Sequence, residues 1–157
     1  MSTYPLARAV LDALIERWPV GAAELPERRY VAFGEVAIDC EQITVSIERT
    51  FTIEADAATE VTATGALFFM RAVEVTVQIA RCIPTVDDDG NMPRPEDIEV
   101  SAAIAAQDEQ NIRDALIDAQ QEGDLASCNG IALQNWTAVG PDGGFGGGRL
   151  GVLLALA

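Results

Sequence analysis

Between residues 4 and 18 the apolar positions Ala7, Val10, Leu11, Leu14, Ile15 and Trp18 recur three and four apart, with Arg8, Asp12 and Glu16 between them. That spacing lays one apolar stripe along a helix. Ser2 or Thr3 can cap its start, Pro5 suits its first turn, and Pro19 and Gly21 end it. From Pro26 to Ile53 the pattern changes to alternation. Val36, Ile38 and Cys40 share one parity, and Ile43, Val45 and Ile47 continue on the other. A strand that changes phase needs an extra residue, so a bulge or short turn is expected near Glu41–Gln42. Residues 54–66 show neither period and are read as a long loop or mobile arm.

The strongest alternation runs through LFFMRAVEVTVQIARCI, residues 67–83. Phe69, Val73, Val75, Val77, Ile79 and Ile83 hold one parity; Glu74, Thr76 and Gln78 hold the other. This predicts a long strand with one apolar face. Arg71 and Arg81 interrupt the apolar parity near its ends, where a long side chain can reach water. After a loop rich in Pro, Asp and Gly, a second helix is expected over residues 96–122. Its stripe is Ile98, Ala102, Ala105, Ile112, Ala115, Leu116 and Ala119, with Gly123 as its stop. Asp108 falls on that stripe and calls for an arginine partner. Two further strands close the chain around a glycine-rich hairpin tip, residues 140–148. The last is apolar on both parities: Leu150, Val152, Leu154 and Leu156 on one, Leu153 and Ala155 on the other. Such a strand is expected to be buried on both faces, in the domain or against a partner. The order predicts an α+β fold over residues 1–157, one domain with a mainly antiparallel or mixed sheet and two helices packed on it.

Composition narrows the chemistry. There are 25 Asp and Glu against ten basic residues, a net charge of −15, and every basic residue is arginine. Without histidine the commonest general base and metal ligand is missing; without lysine there is no Schiff-base or P-loop lysine. The acid excess argues against stable nucleic-acid binding, although DNA can pass such a surface without adhering. Cys40, Cys82 and Cys128 form no CxxC motif, and their odd number suggests buried thiols in a reducing compartment. Cys40 alternates with Val36 and Ile38, which assigns it to the core. The charged N-terminal helix does not resemble a signal peptide, and LGVLLALA is too short to span a bilayer, so no membrane role is expected.

Three stretches invite a functional reading. Gly144–Gly148, GFGGG, lacks the following helix and the lysine of a phosphate loop, so it reads as a hairpin tip with Phe145 presented for docking. Residues 85–96 place Asp87, Asp89, Gly90 and Glu96 at positions of a calcium loop. Thr85 in the first ligand place and prolines 93 and 95 argue instead for a solvated acidic turn. No spacing among the acids selects a catalytic pair. Thus no catalytic, cofactor-binding or metal-ligating residues are assigned, and no cofactor is expected. The residues favoured for assembly contacts are Phe145, Arg149, Trp136, Glu74, Thr76 and Gln78. The row Glu74–Thr76–Gln78 faces either a channel lumen or a neighbouring subunit.

Taken as a series, VAFGEVAIDCEQITVSIER, RAVEVTVQIARCIP, the acidic Pro-rich loop, DEQNIRDALIDA and NWTAVGPDGGFGGGRLGVLLAL span most of the chain. The series resembles the tail terminator (neck) proteins of long-tailed, non-contractile bacteriophages, particularly those of actinobacterial hosts. That resemblance implies a small α+β structural subunit, not an enzyme. The subunit would form a homo-hexameric ring that caps the tail tube, stops its polymerisation and joins the head-side connector or stopper protein. Double-stranded DNA would pass through its lumen, and channels of this kind tend to be acidic. The implied location is the virion neck, with assembly in the host cytoplasm. Another neck protein, a head-closure stopper or an adaptor, is the alternative within this class. A small acidic calcium- or ligand-binding domain is the alternative outside it.

Overall fold

The computed structural model describes residues 2–54 and 69–156. The elements run α1 (Tyr4–Glu16), β1 (Arg28–Phe33), β2 (Gln42–Glu54), β3 (Phe69–Cys82), α2 (Pro95–Glu122), β4 (Cys128–Asp142) and β5 (Phe145–Leu156). The strands form one mixed sheet in the order β1-β2-β3-β5-β4. β1 and β2 are parallel and every other pair is antiparallel. The fold is α+β with both helices on one face. The loop or arm expected at 54–66 falls, beyond Glu54, outside the described residues.

The alternating apolar row explains the layering. Val73, Val75, Val77 and Ile79 of β3 pack beside Ile43, Val45 and Ile47 of β2 and Leu150, Val152, Leu154 and Leu156 of β5, all buried. Leu6, Val10, Leu11 and Leu14 of α1 and Ile112, Ala115, Leu116 and Ala119 of α2 cover them. Burying a side chain of this size contributes about 1.5–3 kcal/mol, so this shared face dominates the stability. Arg17, just past α1, pairs with Glu122 at 2.6 Å and also with Asp124, pinning the ends of the two helices together.

The expected strand through Val36–Cys40 is not in the sheet. β1 ends at Phe33, and residues 34–41 return the chain to start β2 parallel to β1. Eight residues reach up to ~26–29 Å, more than the ~17 Å of β1 they retrace, so the return needs no further element. Alternating burial marks it as locally extended: Val36, Ile38 and Cys40 are half-buried, while Glu35, Ala37, Asp39 and Glu41 are exposed. Gln42 donates from Nε2 to the Ala37 carbonyl at 3.0 Å, which places this segment over the helix-free face. The bulge or short turn expected near Glu41–Gln42 is a bend at Cys40–Glu41, where the return enters β2; a separate bulge lies inside β2, between Ile47 and Arg49.

The expectation of three reduced thiols is also corrected. Cys40 and Cys82 are disulfide-bonded, with their Cα atoms 4.9 Å apart, and only Cys128 is free and buried. The two cysteines lie 42 residues apart in the chain, and only the return of residues 34–41 toward the end of β3 brings them together.

Candidate functional site

Two concavities flank the sheet. On the helix-free face a polar groove of about 600 Å³ is lined by Glu74, Thr76, Gln134, Asn135, Thr137, Arg149 and Gly151. Period-two geometry puts Glu74 and Thr76 there, opposite the core row of β3. Thr76 faces Gly151 and Gln78 faces Arg149 across the β3–β5 ladder. A Cβ on Gly151 would stand 2.3 Å from Oε1 of Gln134, so the glycine lets that amide lie across the groove. Glu74 is held from β2 by an ion pair with Arg49. Gln78 is buried beside its cross-strand partner Thr44, and neither Nε2 of Gln78 nor Oγ1 of Thr44 has a hydrogen-bond partner.

The second groove is larger, about 750 Å³, and mainly apolar. It lies at the end of the sheet where β3 stops, between α2, the loop after β3 and the β4–β5 hairpin. Its origin is a correction to the expected stripe of α2. Only the part from Asp108 to Ala119 reaches the core. The first three turns overhang the sheet, leaving Ile98 50% and Met92 of the facing loop 75% exposed, with Ala102 and Ala105 between. Trp136 and Val139 line the hairpin side.

A buried ion pair separates this groove from the core. Nε and Nη2 of Arg81 donate to Asp108 at 2.6 and 2.8 Å, and Nη1 donates to the Glu24 carbonyl at 2.9 Å. Arg81 therefore does not reach for water, as its place near a strand end suggested. It answers Asp108 and ties β3, α2 and the loop after α1 to one point. Burial opposes the guanidinium charge, but the Asp108 hydrogen bond and the charges of Asp108 and Glu41 outweigh it and hold the pKa above its ordinary value.

The residues singled out from the sequence separate into three places. Glu74, Thr76 and Arg149 share the polar groove, with Gln78 beside them. Trp136 is on the other face, stacked over Gly148, where an added Cβ would meet its ring at 2.1 Å. Phe145 is not a free tip. It starts β5 opposite Cys82, half-buried, with its ring 3.7 Å from the position of a Cβ on Gly143. The hairpin tip is correspondingly shorter than residues 140–148. Asp142 pairs with Phe145, and the turn is Gly143–Gly144, both with positive φ, as two-residue hairpin turns favour. Gly146, Gly147 and Gly148 lie within β5, between β3 and β4. The expectation of a last strand buried on both faces holds for one: Leu150, Val152, Leu154 and Leu156 are buried, but Leu153 and Ala155 are only half-buried.

The acidic loop does not gather ligands. Asp87 accepts from the backbone amides of Asp89 and Asn91 and from the Asn91 side chain at 2.8–3.0 Å. These hydrogen bonds, that of the Asn91 side chain foremost, hold its carboxyl below the usual range. Asp108 is committed to Arg81, and among the described residues no three acidic or cysteine side chains converge as a metal site. Among the described residues no helix is long and apolar enough to cross a membrane. No protein-family model matches this sequence, and no curated protein matches it.

The residues that sequence reasoning missed are Ile98, Met92 and Ala102 as an open surface. The stripe of α2 was visible, but nothing in its spacing says where the sheet beneath it ends.

Proposed function

We propose that this protein is a structural subunit of a phage neck, a tail terminator that assembles with copies of itself into a ring on the tail tube and joins it to the head-side connector. The carrying observation is the apolar groove left open by the overhang of α2, on a chain of charge −15. Apolar concavities of this size are covered in use, by a ligand or a partner. Both outer edges of the sheet, β1 and β4, also lack a strand partner among the described residues. Two unlike open edges suit a head-to-tail contact repeated around a ring. The sequence resemblance supports the same reading and supplies the tail tube, the connector and passing DNA as partners.

The test is native mass spectrometry of the purified protein together with negative-stain imaging after mixing with isolated tail tubes and with tail-free heads. A ring, or monomers that add to tube ends and halt their growth, is the expected result. Addition to heads but not to tubes would make it a stopper or adaptor. A protein that remains monomeric and joins neither structure would refute the neck assignment.

A further inference from the structure

Resting on the ring reading, we propose that the groove under the α2 overhang receives the β1 edge of a second copy of this chain, anchored by Phe33. Phe33 ends β1 and is 68% exposed, the most exposed aromatic among the described residues. Tyr30 points to the helix-free face, where its hydroxyl meets Oε1 of Gln42 at 3.4 Å. Alternation then sends Arg29, Val31 and Phe33 to the helix side, the side on which the groove opens. Val31 is partly buried against the core, but Phe33 lies beyond it in solvent. β1 is also an edge strand, with β2 as its one partner among the described residues.

The two surfaces differ in shape and in charge. Between Thr85 and Glu99, in the loop and helix start beside the groove, six acids stand against one arginine, none of the six lining the groove itself. β1 carries Arg28 and Arg29 and no acid, but Arg28 is already paired with Asp39 at 3.2 Å, which leaves Arg29 as the charge on offer. Arg29 spends two donors on the carbonyls of Pro26 and Leu25 and meets no carboxylate among the described residues. Copies of a chain with charge −15 repel one another in most orientations; this orientation sets positive against negative. The surfaces also lie apart on the sheet: β1 is one edge, and the groove sits over the ends of β3, β5 and β4, beyond β2. Two to four strand spacings put them roughly 10–19 Å apart across the sheet. Two unlike surfaces at different places propagate from copy to copy and do not close a symmetric dimer.

Two full-length variants test this, Phe33→Asp and Ile98→Asp. Both positions are exposed, and circular dichroism checks that the fold is kept. Each variant should lose self-association, because each lacks one half of the contact. Mixed together they should form a 1:1 complex of twice the 16.7 kDa monomer mass and stop there, since one intact β1 edge meets one intact groove. A mixture that stays monomeric overturns the proposal. So does self-assembly of both variants to the wild-type extent. Self-assembly of Ile98→Asp with loss of tube capping would also overturn it and give the groove to the tube protein. If the 1:1 pair forms but wild-type protein adds to neither tubes nor heads, the surface assignment stands and the neck reading falls.

Discussion

The Arg81–Asp108 pair offers the sharpest test of how the sheet, α2 and the loop after α1 are joined. Asp108 is 1% exposed and accepts two hydrogen bonds from one guanidinium. Asp108→Ala leaves Arg81 charged and largely buried, with no carboxylate on its forked side. Breaking a buried pair from one side costs about 3–5 kcal/mol. For a chain of this length that corresponds to a fall in Tm of roughly 6–20 °C. Arg81→Met with Asp108→Leu removes both charges together. Such replacements are often neutral or stabilising, but here the Glu24 carbonyl loses its donor, a penalty of about 1–3 kcal/mol if water cannot reach it. The double variant should thus be more stable than Asp108→Ala alone. Urea unfolding followed by circular dichroism, with the disulfide intact throughout, measures both changes, and an unchanged m-value shows that the unfolded state is the same. The reasoning fails if Asp108→Ala lies within about 1 kcal/mol of wild type, well below the cost of a broken buried pair. It fails equally if the double variant is no more stable than the single one.

The glycines of β5 should rank by what a Cβ would strike. Gly147→Ala puts a methyl 2.1 Å from the Ile79 carbonyl oxygen, which is sheet backbone, and Gly148→Ala drives one into the Trp136 ring. Each should lower stability by at least the ~1–3 kcal/mol typical of overpacking, whereas Gly130→Ala meets nothing within 4 Å and should be tolerated in the same thermal melts. Thiol counting checks the cysteines. Unfolded, unreduced protein should show one reactive thiol and fully reduced protein three. Burial pushes the Cys128 thiol above its ordinary pKa, so folding favours its neutral form. That contribution is complete below the unfolded pKa and is lost as pH rises through the folded one, so native protein at mildly alkaline pH should resist alkylation. Three reactive thiols in the unfolded, unreduced protein would contradict the disulfide, and rapid alkylation of the native protein would contradict the burial of Cys128. Reduction should also lower stability, by up to about 4 kcal/mol from the entropy of closing a loop this long, measured by urea unfolding with and without reductant.

Periodicity determined a good deal. The stripe of α1, the alternation of β3 and the apolar row of β5 each carry their burial in their spacing, because a helix or strand sorts side chains by position before it meets any partner. Asp108 announced its need for an arginine in the same way, since a carboxylate on an apolar stripe cannot remain unpaired. Glu74, Thr76 and Gln78 were legible as one polar row because β3 alternates, but only the β3–β5 ladder brought Arg149 to it. What no spacing could supply was the pairing of distant segments. Val36, Ile38 and Cys40 alternate identically in a sheet strand and in an extended return, and only the parallel placement of β1 beside β2 decides between them. That return brings Cys40 to Cys82, which are otherwise unrelated in the chain. The choice of Arg81 over nine other arginines depended on the end of β3 arriving beneath α2. Whether Ile98 is core or open groove depended on where the sheet ends under that helix. The glycines divide along the same line. Composition marked a turn, but only the ladder between β3 and β4 showed that three of them are strand residues, two of which, Gly147 and Gly148, are kept bare because backbone and an indole ring occupy the space a side chain would need.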